Sequence, residues 1–314
     1  MNDTDDLAPG SLVRRWRLGK RLREIRESSG KTMDEAAAYL GVRRPTISRI
    51  ENGRHAILPK NVKFLCQLYE TGAPEVDMLV RQAQESNERG WWASYSDTMP
   101  DWFETYIGFE ADVSEIWTYE SELVPGLLQV PSYVRAMRTA YQAGVSELEI
   151  AKSVAFRLER QKRLEVKPPV YRVVLNEAVV RRPVGDMAKQ LQHLVDMSQN
   201  DYLDLRILPF AAGPHPGMTS PFSVMTLPDE PAPNFVYLEH EDGAIYLERP
   251  VDLAQYANTF EKLVAAALSP ISSREFLANL VEQAWVKQEG PRDGHGQDEV
   301  AQEQLQRRKQ RELR

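Results

Sequence analysis

The chain has 314 residues, 42% of them hydrophobic and 27% charged, a globular balance sized for two domains of roughly 150 residues each. It holds no apolar run of about 18 residues to span a membrane, and its start, MNDTDDLAPGS, lacks the apolar stretch of a secretory signal. Its single cysteine, Cys66, excludes an intrachain disulfide and a thiolate zinc cluster, so a soluble cytoplasmic protein is expected. The net charge of −7 hides an asymmetry. Residues 11–65 carry 14 Lys/Arg against 5 Asp/Glu, a balance of +9, and the rest of the chain is left at −16. A small basic block fused to a large acidic one separates a part suited to a polyanion from a part with another task.

In the basic block, Leu18, Leu22 and Ile25 recur at helical spacing over residues 13–28, and Gly30 stops that helix. Thr32 opens the next with a capping box. In T-x-x-E through Glu35, hydroxyl and carboxylate satisfy each other's end backbone N–H groups. Met33, Ala36, Ala37 and Leu40 give it a small-residue stripe, and Gly41 ends it. Pro45 suits a first helical position, so a third helix is expected over residues 45–52 with Gly53 as its left-handed stop. Pro59 opens a fourth along Val62, Leu65, Cys66 and Tyr69, where Cys66 reads as a small buried hydrophobe. Two short helices around a glycine-containing turn form a helix-turn-helix layout. At about 100° per residue, Ile47 and Ile50 of the third helix face the core. Pro45, Ser48, Arg49 and Asn52 point away, Thr46 lies on the flank, and Arg43 and Arg44 reach forward from the helix start. An arginine fork matches guanine O6 and N7, and a helix N-terminus favours phosphate.

The stretch TMDEAAAYLGVRRPTISRIENGR, and ISRIENG within it, resembles the helix-turn-helix of the XRE group, related to the phage lambda and 434 repressors. The resemblance implies a five-helix domain over residues 13–72 with residues 45–52 as recognition helix in the major groove. It sets Arg44, Pro45 and Arg49 at base-reading positions, Thr46, Asn52 and Arg54 near the sugar–phosphate backbone, and Glu51 as a structural carboxylate. Two departures matter. Met33 stands where members often carry a phosphate-holding glutamine, and Arg43-Arg44 stands where many have Ser-Gln, which shifts the expected readout from adenine toward guanine. Dimers on half-sites about 34 Å apart are the expectation for the motif.

In the acidic block, residues 74–86 read as a bridging helix inside a 73–90 linker, followed by the aromatic pairs Trp91-Trp92 and Trp102-Phe103. A helix over 100–110, a strand over 113–119, a turn at Pro125-Gly126 and helices over 131–141 and 146–166 come next. Strands over 170–175 and 203–208 flank a helical 184–199, and a further strand covers 222–227. Segments 234–239 and 244–248 flank Asp242-Gly243, a strong hairpin signal, and helices over 251–268 and 272–286 close the chain. The expected class is an all-α, five-helix lambda-repressor-like domain followed by a larger α+β domain (residues 91–286) with five or six strands. Residues 1–12 and 287–314 are expected to be disordered or frayed.

The acidic block shows no G-x-S-x-G, H-E-x-x-H, P-loop or G-x-G-x-x-G, and its histidines lack ligand spacing. No catalytic residue, metal or cofactor is therefore expected, and the chain is not read as an enzyme. Glu110, Glu120 and Glu177 fall near predicted element ends, where burial of a carboxylate would be informative. Leu123-Val124-Pro125-Gly126-Leu127-Leu128-Gln129 with Tyr133, then Arg157-x-x-Arg160-Gln161, then Asn176-Glu177-Ala178 and Arg181-Arg182-Pro183-Val184-Gly185 occur in that order. Together they resemble the C-terminal domain of an actinobacterial group of XRE-type regulators, including sporulation regulators of the WhiJ kind. The resemblance implies a domain of unknown function in proteins often encoded beside a small acidic partner and called antitoxin-like. Arg157 and Arg160 share a helix face that suits an anion, an acidic partner or a pairing with Glu177. Trp91, Trp92, Trp102 and Trp117 suit either an apolar ligand pocket or a core. The ligand or partner candidates are Trp117, Gln129, Tyr133, Arg157, Arg160, Gln161 and Glu177. The reading is a homodimeric, sequence-specific regulator on a double-stranded DNA operator, with its C-terminal domain controlled by a small-molecule effector or protein partner. The alternatives are an antitoxin-like protein that sequesters a small acidic partner, and an enzyme fused to a helix-turn-helix.

Overall fold

The computed structural model describes residues 11–53, 55–86, 91–228 and 234–289. Residues 1–10 of the start expected to be disordered, Arg54 and residues 290–314 of the expected tail lie outside the described residues, whereas residues 11–12 and 287–289 are helical. The N-terminal part is built from α1 (Ser11–Ser28), α2 (Met33–Leu40), α3 (Arg44–Glu51), α4 (Pro59–Leu68) and α5 (Ala73–Glu85). The capping box forms on Thr32, whose Oγ1 accepts from the Glu35 N–H at 3.2 Å while Glu35 Oε2 accepts from the Thr32 N–H at 2.7 Å. Gly41 and Gly53 end α2 and α3 at φ 67° and 66°. α3 starts one residue earlier than expected, with Arg43 as N-cap, because a proline second in a helix also needs no N–H partner. Leu18, Leu22, Ala36, Ile47, Ile50, Val62, Leu65 and Cys66 close one helical core. The stretch expected to be a linker is part of that core. Its apolar stripe leaves no free face, since Leu79 and Ala83 of α5 are fully buried against the other helices.

The C-terminal part begins with a 3-10 stretch over Trp91–Thr98 and α6 (Asp101–Glu110), then β1 (Glu115–Glu120). α7 (Pro131–Tyr141), α8 (Glu147–Gln161) and α9 (Arg163–Val166) lead to β2 (Val170–Asn176); α10 (Glu177–Arg181) and α11 (Met187–Met197) lead to β3 (Leu203–Leu208). β4 (Phe222–Thr226), β5 (Phe235–His240) and β6 (Gly243–Leu247) follow, and α12 (Pro250–Ala266) and α13 (Pro270–Glu289) end the described chain. The six strands form one mixed sheet in the order β3-β2-β1-β4-β5-β6, parallel through β1–β3 and antiparallel beyond β1. Period-two alternation buries both faces. Ile116, Val173, Leu205, Met225 and Phe235 join a core with Leu191, Leu194 and Leu277, and Tyr119, Val174, Phe222 and Val224 join another under Phe260 and Leu263 of α12.

The hairpin falls one residue earlier than expected. His240 pairs with Gly243, so Glu241 and Asp242 form the loop, and Gly243 takes a ladder position without a positive φ. The helix expected over 146–166 breaks at Lys162 into α8 and α9. Among the described residues no helix is long and apolar enough to cross a membrane.

The two parts meet along a seam. Val13 and Trp16, on the first turns of α1, belong to the sheet core with Phe109 and Phe235 rather than to the helical core. Arg17 Nη2 donates to the Pro228 carbonyl at 2.6 Å. A Cβ on Gly53 would lie 2.6 Å from the Trp16 Cα, so the stop of α3 rests directly on α1. Asn52 and Gly53 line a narrow crevice with Trp16, Thr105, Phe109 and Tyr246.

Candidate nucleic-acid interface

α3 is held from below by an apolar pair and a charged fork. Ile47 and Ile50 are buried, and beside them the Glu51 carboxylate accepts from Arg26 Nε at 2.6 Å and Nη2 at 3.0 Å. Arg26 Nη1 also donates to the Lys31 carbonyl at 2.9 Å, so one side chain fixes α1, the α1–α2 turn and α3 together. The hydrogen bonds that Arg26 donates to Glu51 raise the Arg26 pKa despite burial.

The outward side is basic. Arg43, Arg44, Pro45 and Arg49 are exposed, and Thr46 and Ser48 are half-buried on the flank. The Arg44 side chain is 65% exposed, and its Nε stands 4.0 Å from Asp34 Oδ1, too far and too wet to hold it. Eight helical residues span about 12 Å, a length that a major groove admits. Asn52 is the C-cap of α3 and lines the crevice against Trp16, while Arg54 is outside the described residues.

The structure sorts the C-terminal candidates into separate groups. Gln129, Tyr133 and Gln161 brace the irregular 123–130 stretch. Gln129 Nε2 donates to the Val124 carbonyl at 2.7 Å, Tyr133 Oη accepts from the Val124 N–H at 3.2 Å, and Gln161 Nε2 donates to the carbonyls of Gln129 at 2.8 Å and Gly126 at 3.1 Å. Pro125-Gly126, expected as a turn, opens a 3-10 turn over Gly126–Leu128, but contact is what demands the glycine. A Cβ there would lie 1.8 Å from Arg157 Nη1 and 3.2 Å from Arg160 Nη2.

Arg160 does not pair with Glu177. It forks onto Glu110, Nε to Oε1 at 2.9 Å and Nη2 to Oε2 at 2.7 Å, with its guanidinium 5.2 Å from the Phe103 ring centre. Glu177 instead accepts from the Phe210 N–H at 2.7 Å and from Arg181 Nε at 2.5 Å, because it sits where β2 runs into α10. Arg157 is half-buried beside Arg160, and desolvation of its guanidinium followed by that like charge pulls its pKa down to about 9. Burial likewise pushes Glu120 up to about 8, with Glu239 adding to the effect. Trp117 lies on the other sheet face, stacked on Phe260 at 5.5 Å, whereas Trp91 meets Phe156 at 5.9 Å, so the tryptophans do not build one pocket. Among the described residues no cluster of His, Cys, Asp and Glu could hold a metal ion.

Sequence reasoning passed over Trp16, Arg26 and Arg163. The signal for Trp16 is its place three residues after Val13, ahead of the Leu18–Leu22–Ile25 stripe and out of phase with it. Residues 17–79 match a helix-turn-helix domain, and residues 103–279, more than half of the chain, match the domain of unknown function DUF5753. The chain belongs to the DUF5753 family. No curated protein matches it. In this DUF5753 protein the helix-turn-helix marks a DNA-binding regulator, and the domain of unknown function forms the mixed-sheet part that grips α1.

Proposed function

We propose that this DUF5753 protein is a sequence-specific transcriptional regulator of the XRE type that works as a homodimer on double-stranded DNA in the cytoplasm. The observation that carries the reading is the exposed arginine row of α3, set on a base fixed by the buried Arg26–Glu51 fork. Arg44 and Arg49 read base edges, guanine by preference, and Arg43, Thr46 and Ser48 serve the sugar–phosphate backbone. The C-terminal domain has a binding task rather than a catalytic one. An effector or partner acts through it by favouring one arrangement of the two parts, so DNA affinity changes by the difference in its binding to the two arrangements.

The test starts from genome-wide mapping of bound fragments with the full chain, followed by competition binding on the recovered site. Arg44→Ala and Arg49→Ala are each expected to cost about 1–3 kcal/mol on that site while binding to shuffled DNA is unchanged. Equal losses on both DNAs would reduce these arginines to phosphate contacts. No preference for any genomic fragment would end the regulator reading.

A further inference from the structure

A cavity of about 460 Å³ opens between α6 and the α8–α9 pair, away from the α3 arginines. That size falls within the range of small-molecule sites. Arg160 and Arg163 line it together with Glu110, and Trp91, Ile107 and Val166 supply apolar wall. The two guanidiniums are under-partnered. Arg160 is 2% exposed and gives two nitrogens to Glu110, but its buried Nη1 has no hydrogen-bond partner. Arg163 gives only Nη2, to the Val113 carbonyl at 2.8 Å, and its buried Nε and Nη1 have none. The nearby carboxylates do not fill the gap. Glu110 is taken by Arg160, Glu159 is paired with Lys162 at 2.6 Å, and Glu110 and Asp112 attract Arg163 without bonding it. Buried donors left unsatisfied are costly, and guanidinium N–H groups are matched best by the paired oxygens of a carboxylate or phosphate.

The geometry points to this cavity as the site of a small organic anion, whose carboxylate or phosphate group is held by the Arg160 and Arg163 guanidiniums in its wall and whose apolar or aromatic body lies against Trp91 and Ile107. α6 gives the site a route to the other domain. Ile107 and Glu110 face the cavity, while Thr105 and Phe109 of the same helix line the crevice with Trp16, Asn52 and Gly53 at the end of α3. An anion that shifts α6 therefore shifts what the recognition helix leans on. The consequence at DNA rests on the regulator reading; the binding itself does not.

Phenyl phosphate, phenylacetate and neutral phenol serve as probes on the full chain, followed by tryptophan fluorescence and thermal shift. Either anion is expected to bind saturably and at least about tenfold more tightly than phenol, and Arg163→Gln is expected to remove that advantage. Arg163 has no carboxylate to orphan, so this variant is expected to keep its circular dichroism spectrum, and the phenol comparison stands on the unaltered protein in any case. Binding no stronger than that of phenol at millimolar concentration, or unchanged binding in a folded Arg163→Gln chain, overturns the site. Repeating the DNA competition with the bound anion separates the two readings. A chain that takes the anion but no specific DNA keeps the site and loses the regulator, and the opposite result does the reverse.

Discussion

Arg26 and Glu51 carry opposite charges into the helical core, where each is affordable only because the other is there. Removing one strands its partner. Glu51→Ala is expected to lower stability by about 3–5 kcal/mol in denaturant unfolding, and replacing both residues, Arg26→Met with Glu51→Leu, is expected to recover most of the loss. A loss below about 1 kcal/mol for the single change would mean that the fork is ornamental to the fold. Glu51 was marked in advance by the helix-turn-helix motif, but its partner was not. α1 carries Arg14, Arg15, Arg17, Arg21, Arg23 and Arg26, which look alike along the sequence, and only packing tells the buried Arg26 from the half-buried Arg14, Arg15 and Arg17 and the exposed Arg21 and Arg23. The same blindness hid Glu110 as the partner of Arg160, since 50 residues separate them.

Elements bounded by local chemistry were the ones legible in advance. The Thr32 capping box, the Gly41 and Gly53 stops and Pro59 placed their helices correctly because each signal acts within one turn of the chain. The 123–130 stretch was different. Its residues were recognisable as a motif, yet their tasks depend on α8 lying across them. Gln161 holds the backbone of the stretch from one end of α8, and Arg157 lies against Gly126 from the turn before. Gly126→Ala is therefore expected to cost about 1–3 kcal/mol through overpacking, with a lower melting temperature as the readout. Adding Arg157→Ala to that chain removes the clashing nitrogen and is expected to return part of the loss. If the double variant is no more stable than Gly126→Ala alone, the clash is not what requires the glycine. The hairpin shift belongs here too, since an Asp-Gly pair marks that a turn exists but the ladder between β5 and β6 decides where it closes.

For the whole molecule, the charge split foretold two parts but not that one helix serves both. α1 puts Leu18, Leu22 and Ile25 into the helical core and Val13 and Trp16 into the sheet core. Trp16 is 6% exposed, and its partners Phe109 and Phe235 are too distant in sequence for any periodicity to link them. Such a shared helix couples the unfolding of the two parts. Calorimetry of the intact chain is expected to show one transition, and Trp16→Ala, at about 3–5 kcal/mol for the emptied site, is expected to split it into two. Two transitions in the unaltered chain would show that the seam does not bind the parts together. The seam also has a consequence in time. Phe235 is roughly 220 residues behind Trp16, so at about 5–20 residues per second the ribosome releases the indole some tens of seconds before its cover is complete. Every newborn copy passes through an interval with a greasy handle showing, and a truncated message leaves that handle showing for good, a ready mark for chaperones and proteases.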